Sequence, residues 1–285
     1  MVSSCPVWHF HCLIWCSNPL TDFIQSPLSG NGFNQWFGLG LPQHWKVAYV
    51  LACALACTMA GASHGAAAAP FEDTIAQRTL ACTACHGPQG RAAPDGYYPR
   101  LAGKPAAYLF NQLLNFRDGR RHYGLMTQLV DPLSDTYLME IAQYFSKLEV
   151  PYPAPATQTT PPDLLARGQQ LVMQGDAARQ VPACVQCHGQ ALTGVTPQVP
   201  GLLGLPRDYL NAQLGAWKSG QRRAQSPDCM KAVVARLSPD DIHAAASYLA
   251  AQRVPTNSQP ASQPPPLPKG GKEIACGGAA ARAVP

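Results

Sequence analysis

The sequence of 285 residues predicts an all-α fold made of two tandem copies of one small domain. The first observation behind this is an internal repeat at an offset of about 101 to 104 residues. Cys82-x-x-Cys85-His86-Gly87 returns as Cys184-x-x-Cys187-His188-Gly189, and Tyr98-Pro99 with Gly103 returns as Val199-Pro200 with Gly204. Tyr108-Leu109-x-x-Gln112-Leu113 returns as Tyr209-Leu210-x-x-Gln213-Leu214. Gly119, Arg121 and Met126 then match Gly220, Arg222 and Met230, and Leu133-Ser134 matches Leu237-Ser238. The second observation is apolar spacing of helical period in both copies, and the third is that no segment alternates as a strand would.

The elements follow in order. Residues 47–62 are an uncharged apolar run behind Lys46, with small residues after it up to Ala69. A positive flank, a short apolar stretch and an Ala-rich exit describe a secretory signal with cleavage near Ala67–Pro70. The run is short of the roughly 20 residues that a spanning helix needs, so an uncleaved membrane anchor is the second reading. Residues 1–43 hold one charge, Asp22, and no periodicity. Residues 1–69 are therefore read as an N-terminal extension plus signal peptide, absent from the mature protein, with the natural start expected near residues 41–46.

Domain 1 spans 70–152. A helix is expected over Ala106 to Arg117, ended by Gly119, and another from Ser134-Asp135 to about Lys147, with Leu138, Ile141, Ala142 and Phe145 on one face. Residues 153–162 form a Pro-rich linker. Domain 2 spans 163–254, with helices over Arg207 to Lys218, ended by Gly220, and from Ser238-Pro239-Asp240-Asp241 to about Gln252. A Ser cap, Pro at the first position and Asp in the first turn make the latter a strong helix start. Its buried face is Ile242, Ala245, Ala246 and Leu249. Residues 255–285, rich in Pro, Ser and Gly, are read as a disordered tail.

Charged residues are 13% of the chain, about half the usual share, because leader and tail carry so few. Net charge is +5, too small and too scattered to point to nucleic acid. Eleven cysteines, odd in number and uneven in spacing, make a poor disulfide framework. The reading needs no disulfide: Cys229 is taken as a neutral thiol and Cys276 as an incidental exposed one.

Three chemistries compete for the close pairs. A redox dithiol wants a strand-to-helix context, which is missing. A structural zinc would gather four thiolates and leave both adjacent histidines unexplained. Covalent haem attachment uses every residue: thiols at i and i+3 reach two vinyl groups while the next residue offers its imidazole to the iron. Such haem is attached outside the cytoplasm, which agrees with an export signal.

On these residues, with Tyr-Leu-x-x-Gln-Leu, a basic cluster, Met and Leu-Ser before a last helix, the sequence from Phe71 to about Val254 resembles the di-haem class I cytochromes c of the cytochrome c4 type. The resemblance implies two tandem class I cytochrome c domains about a pseudo-twofold axis, holding two covalently bound haem c groups through Cys82, Cys85, Cys184 and Cys187. It implies iron ligation by His86 and Met126 in one domain and by His188 and Met230 in the other. The methionines lie 40 and 42 residues after their histidines, before the last helix. Met139 and Met173, inside predicted helices, read as core. His122 is matched by Arg223, which favours a surface role. The carbonyls of Pro99 and Pro200 are expected to accept the imidazole N–H. Arg121 and Arg222 are open between haem-carboxylate partners and solvated charge. The stretch 175–183 and both chain ends depart from the pattern.

The resemblance further implies a periplasmic or membrane-associated carrier of single electrons, with partners such as a quinol–cytochrome c reductase, a terminal oxidase or a periplasmic dehydrogenase. With both irons six-coordinate no position remains for a substrate, so the protein reads as a carrier and not an enzyme. A cytochrome subunit of a periplasmic dehydrogenase is the alternative, and a di-haem peroxidase, which needs an open haem, ranks below it. Residues 70–152 hold 8 basic and 8 acidic residues, and residues 153–254 hold 9 and 6, so charge points to domain 2 for docking an acidic partner.

Overall fold

The computed structural model describes residues 72–93, 96–155, 159–267 and 274–278; the leader and signal-peptide readings lie outside them. Among the described residues no helix is long and apolar enough to cross a membrane. The described residues form one compact unit.

The first copy contains α1 (Ile75–Arg78), α2 (Leu80–His86), α3 (Ala106–Arg117), α4 (Gly124–Val130) and α5 (Asp135–Ser146). Helix α3 holds no β-branched residue and stops at Asp118, followed by Gly119 at φ +67°. Helix α5 starts where Ser134 Oγ accepts the Tyr137 N–H at 3.2 Å, as its sequence predicts. The two helices pack on each other, burying Leu109, Phe110 and Leu114 of α3 against Leu138, Ile141, Ala142 and Phe145 of α5. Each such side chain contributes about 1.5–3 kcal/mol of transfer energy.

The second copy contains α6 (Pro162–Met173), α7 (Val185–His188), α8 (Arg207–Lys218), α9 (Cys229–Val234) and α10 (Pro239–Ala251). Pro162 begins α6 at a position where its missing N–H costs nothing. At Ser238 the cap is reciprocal: Ser238 Oγ accepts the Asp241 N–H at 3.1 Å and the Asp241 carboxylate accepts the Ser238 N–H at 3.0 Å. Helices α6 and α10 lie so close that a Cβ on Gly168 would run into the Ala244 carbonyl and Tyr248. Val172, Leu210, Ala245, Ala246 and Leu249 share one core cluster and Leu171, Val234 and Ile242 another. Met139 and Met173 pack against the cores, as expected.

Three features are absent from the sequence reading. The stretch 175–183 is ordered: a short 3₁₀ turn over Ala177–Arg179, capped by Asp176, closes by backbone pairing of Asp176 with Val181. A two-residue antiparallel pair joins β1 (Gly194–Val195) to β2 (Val199–Pro200), with Gly194 opposite Pro200 and Val195 opposite Val199. It is too short to leave an alternation pattern. The chain just before the linker is fixed by Arg100, which donates to the carbonyls of Ala102, Val150 and Pro151 and lies 3.8 Å from the centre of the Tyr152 ring.

The tail also departs from expectation. Ala261 exchanges backbone hydrogen bonds with Gly194 and Thr196, both at 2.9 Å. Cys276 forms a disulfide with Cys229, with Cα atoms 4.9 Å apart. The thiol readings of Cys229 and Cys276, and tail disorder over these described segments, are therefore corrected. Composition reports the scarcity of apolar residues in the tail but not the partners that a sheet edge and a distant cysteine supply.

Candidate functional site

Cys82 and Cys85 stand one turn apart on α2, and His86 ends that helix. Gly87 follows at φ +74°, where a Cβ would meet the Ala92 carbonyl, so only glycine lets the chain turn away there. The second copy repeats this with Cys184 as the N-cap of α7, then Cys187, His188 and Gly189 at φ +84°.

The histidines have the same environment in both copies. His86 Nδ1 is 2.7 Å from the Pro99 carbonyl oxygen, and His188 Nδ1 is 2.7 Å from that of Pro200. A carbonyl oxygen accepts, so Nδ1 carries the proton and Nε2 is the nitrogen with a free lone pair. Both rings are buried, and burial holds both imidazoles below the ordinary histidine range. They are neutral donors, the form a metal needs.

The cysteines behave oppositely to a reactive dithiol. None of the four is in a disulfide, and burial pushes the thiols of Cys82 and Cys187 up and that of Cys184 up to about 12. A nucleophilic cysteine is a thiolate with a lowered pKa, so the redox reading does not fit. Among the described residues no three His, Cys, Asp or Glu side chains converge as a metal cluster. Thioether formation, which needs no thiolate at rest, does fit.

Met126 lies on α4 and Met230 on α9, both half-buried. A cavity of about 1090 Å³, above the roughly 300–1,000 Å³ of ordinary ligand pockets, is lined by all eight predicted residues. These are Cys82, Cys85, His86 and Met126 from one copy and Cys184, Cys187, His188 and Met230 from the other. Its wall includes Leu109, Phe116 and Phe145 on one side and Leu205, Leu210 and Leu214 on the other. An apolar chamber with paired thiols, a buried neutral imidazole and a thioether on each side fits a haem c at each end. His122 is exposed, in keeping with its surface reading.

Between the two sets is a reciprocal network. Arg121 donates to Gln112 at 3.2 Å and, across the copies, to Gln213 at 2.8 Å and Tyr209 at 3.3 Å. Arg222 donates to Gln213 at 2.6 Å and across to Gln112 at 2.9 Å. Their backbones pair antiparallel, and the Arg223 N–H donates to the Arg120 carbonyl at 2.7 Å. Burial, with Arg121 close by, pushes Arg222 down to about 10. Neutral amide and phenol oxygens are the partners of one buried and one half-buried guanidinium here, an arrangement with room for added negative charge.

Lys104 went unremarked in the sequence. It is 4% exposed and donates across the copies to the Gly201 carbonyl at 2.9 Å, one residue beyond the carbonyl that holds His188. Burial, with Arg100 adding repulsion, pushes it down to about 8. Its counterpart in the second copy is Leu205, and that loss of symmetry was the one available signal.

Duplicated helical domains, each with Cys-x-x-Cys-His and a methionine lining one apolar cavity, define a protein of two tandem class I cytochrome c domains. No family model matches the chain. It is 39% identical over 193 residues, 67% of this chain and 85% of the relative, to a thiosulfate dehydrogenase electron acceptor of Thiomonas intermedia. It is 34% identical over 174 residues, 60% of this chain and 84% of the relative, to cytochrome c4 of Pseudomonas aeruginosa. The crystal structure of reduced recombinant cytochrome c4 from Pseudomonas stutzeri superposes with a TM-score of 0.55 at 31% identity, over 65% of this chain and 100% of that one. The chain belongs to the cytochrome c4 family, and its function is electron transfer.

Proposed function

We propose that the protein carries single electrons through two haem c groups, accepting them from a dehydrogenase in the compartment to which the chain is exported. The observation that carries this reading is the repeated constellation: paired thiols, an imidazole fixed at 2.7 Å by a proline carbonyl, and a methionine lining the same cavity. Haem c, bound at each set, supplies the one-electron couple. Cys82 and Cys85 would tether one group and Cys184 and Cys187 the other, and His86 with Met126, and His188 with Met230, would hold the irons. The Pro99 and Pro200 carbonyls fix the tautomer and raise imidazole basicity. Thioether ligation favours the ferrous state and so a high potential, which suits a carrier. Arg121 and Arg222, between the sets, would supply positive charge for haem carboxylates from both copies.

The relative named as a thiosulfate dehydrogenase electron acceptor favours a dehydrogenase of reduced sulfur compounds as the donor. A subunit bound to that dehydrogenase differs from a free carrier in the lifetime of the complex, not in the haem chemistry. Ferric absorption spectra test the ligands: Met126→Ala and Met230→Ala should each remove about half of the far-red sulfur-to-iron band. A band untouched by either substitution shows that assignment to be wrong. Stopped-flow mixing of the oxidised protein with a reduced thiosulfate dehydrogenase tests the donor, and transfer no faster than to an unrelated cytochrome would refute it.

A further inference from the structure

We propose that the Cys229–Cys276 disulfide and the tail segment it anchors position Met230, closing the methionine side of the second site in a way the first site lacks. The inference rests on Met230 being an iron ligand. Cys229 is the first residue of α9 and Met230 the second, so the disulfide fixes the backbone immediately before the ligand. That backbone is held from two directions. Asp228 caps α9, its carboxylate accepting the Lys231 N–H at 3.0 Å and the Ala224 N–H at 2.7 Å. From the tail, the Gly277 N–H donates to the Pro227 carbonyl at 2.6 Å. Gly277 lies so close to the Gln225 and Ser226 carbonyls that a Cβ on it would overlap both. Ile274, Cys276 and Gly277 line the same cavity as Met230. Ala261 is pinned to the Gly194–Thr196 edge, so the tail is fixed to the second copy at two places.

The first copy is an internal control. Position 229 corresponds to Leu125, so the first copy has no cysteine there to bridge to a tail. Met126 is held by its helix, by core packing and by the Thr127 hydroxyl donating to the Phe116 carbonyl at 3.3 Å, with no side-chain cap, whereas Met230 has in addition a cap, a disulfide and a strap. Exogenous ligands should therefore displace Met126 faster than Met230.

The experiment uses the purified holoprotein, with imidazole as probe. Peptide mapping without reduction should yield one linked peptide containing Cys229 and Cys276; two separate thiols overturn the proposal at once. Imidazole displacement of the ferric methionines, followed in the far-red band, should show a fast and a slow phase, with Met126→Ala removing the fast one. In Cys276→Ser and in Cys229→Ser/Cys276→Ser the slow phase should accelerate at least about tenfold, less than the full restraint a disulfide typically supplies, with the fast phase unchanged. Gly277→Ala, which leaves the disulfide in place and pushes the strap outward, should accelerate the slow phase less. Unchanged slow phases in these variants, or equal acceleration of both phases, overturn the proposal. A wild-type band that survives Met230→Ala refutes the ligand assignment itself, a result separate from a strap without effect.

Discussion

At Pro99 and Pro200 a backbone carbonyl stands 2.7 Å from the Nδ1 of its histidine, and this contact decides which imidazole nitrogen keeps a free lone pair. A second residue of comparable weight is Asp241, 4% exposed, which accepts from Arg167 at 2.8 Å, Arg179 at 2.7 Å and the Ser238 N–H. Burial alone would push its carboxyl up, but the bonds from Arg179, Ser238 and Arg167 hold it well below the ordinary carboxylate range. A depressed carboxyl contributes stability above its unfolded pKa of roughly 4 and loses it as pH falls through the folded value. Asp241→Ala should therefore destabilise the protein by around or below the lower end of the roughly 3–5 kcal/mol seen for broken buried pairs, since both arginines are about a third exposed. Urea titrations at pH 7 and pH 3 check this: the difference between wild type and variant should be full at pH 7 and smaller at pH 3.

Two helix pairs build the scaffold, and their contacts differ in kind. Helices α3 and α5 meet through large side chains, with Phe145 1% exposed, so Phe145→Ala should cost about 3–5 kcal/mol in the urea midpoint. Helices α6 and α10 meet backbone to backbone at Gly168, so Gly168→Ala should cost about 1–3 kcal/mol by overpacking, although alanine is the better helix former. The α3, α5, α8 and α10 spans were legible because each combines a 3.6-residue apolar period with a local stop or start at Gly119, Ser134, Gly220 or Ser238. Gly168 was not legible: in sequence it looks like a weak helix position, and only the neighbouring backbone shows why it is there. The β1–β2 pair, two residues a strand, has no period to detect.

Across the whole molecule the duplicated site residues were readable because the repeat printed each of them twice. What joins the copies was less so, since Lys104 has no counterpart and reaches a carbonyl 97 positions along the chain. Its pKa of about 8 lies below the ordinary lysine value, so between pH 8 and roughly 10.5 the unfolded chain binds a proton that the native state does not. Stability from this group therefore rises with pH across that window, by about 3 kcal/mol or less. Lys104→Met should abolish that rise in urea midpoints compared at pH 7.5 and pH 10. The tail was misread for a related reason: Cys276 gains meaning only from Cys229, 47 residues away.

The most direct test of two closed His/Met sites carrying single electrons is a redox titration of the holoprotein followed by absorption in the ferric and ferrous states. Two one-electron steps, both low-spin throughout, with a far-red sulfur-to-iron band that disappears in two portions on reduction, are expected. One haem per chain, or a high-spin ferric haem that binds cyanide or peroxide as readily as an open site does, would contradict it.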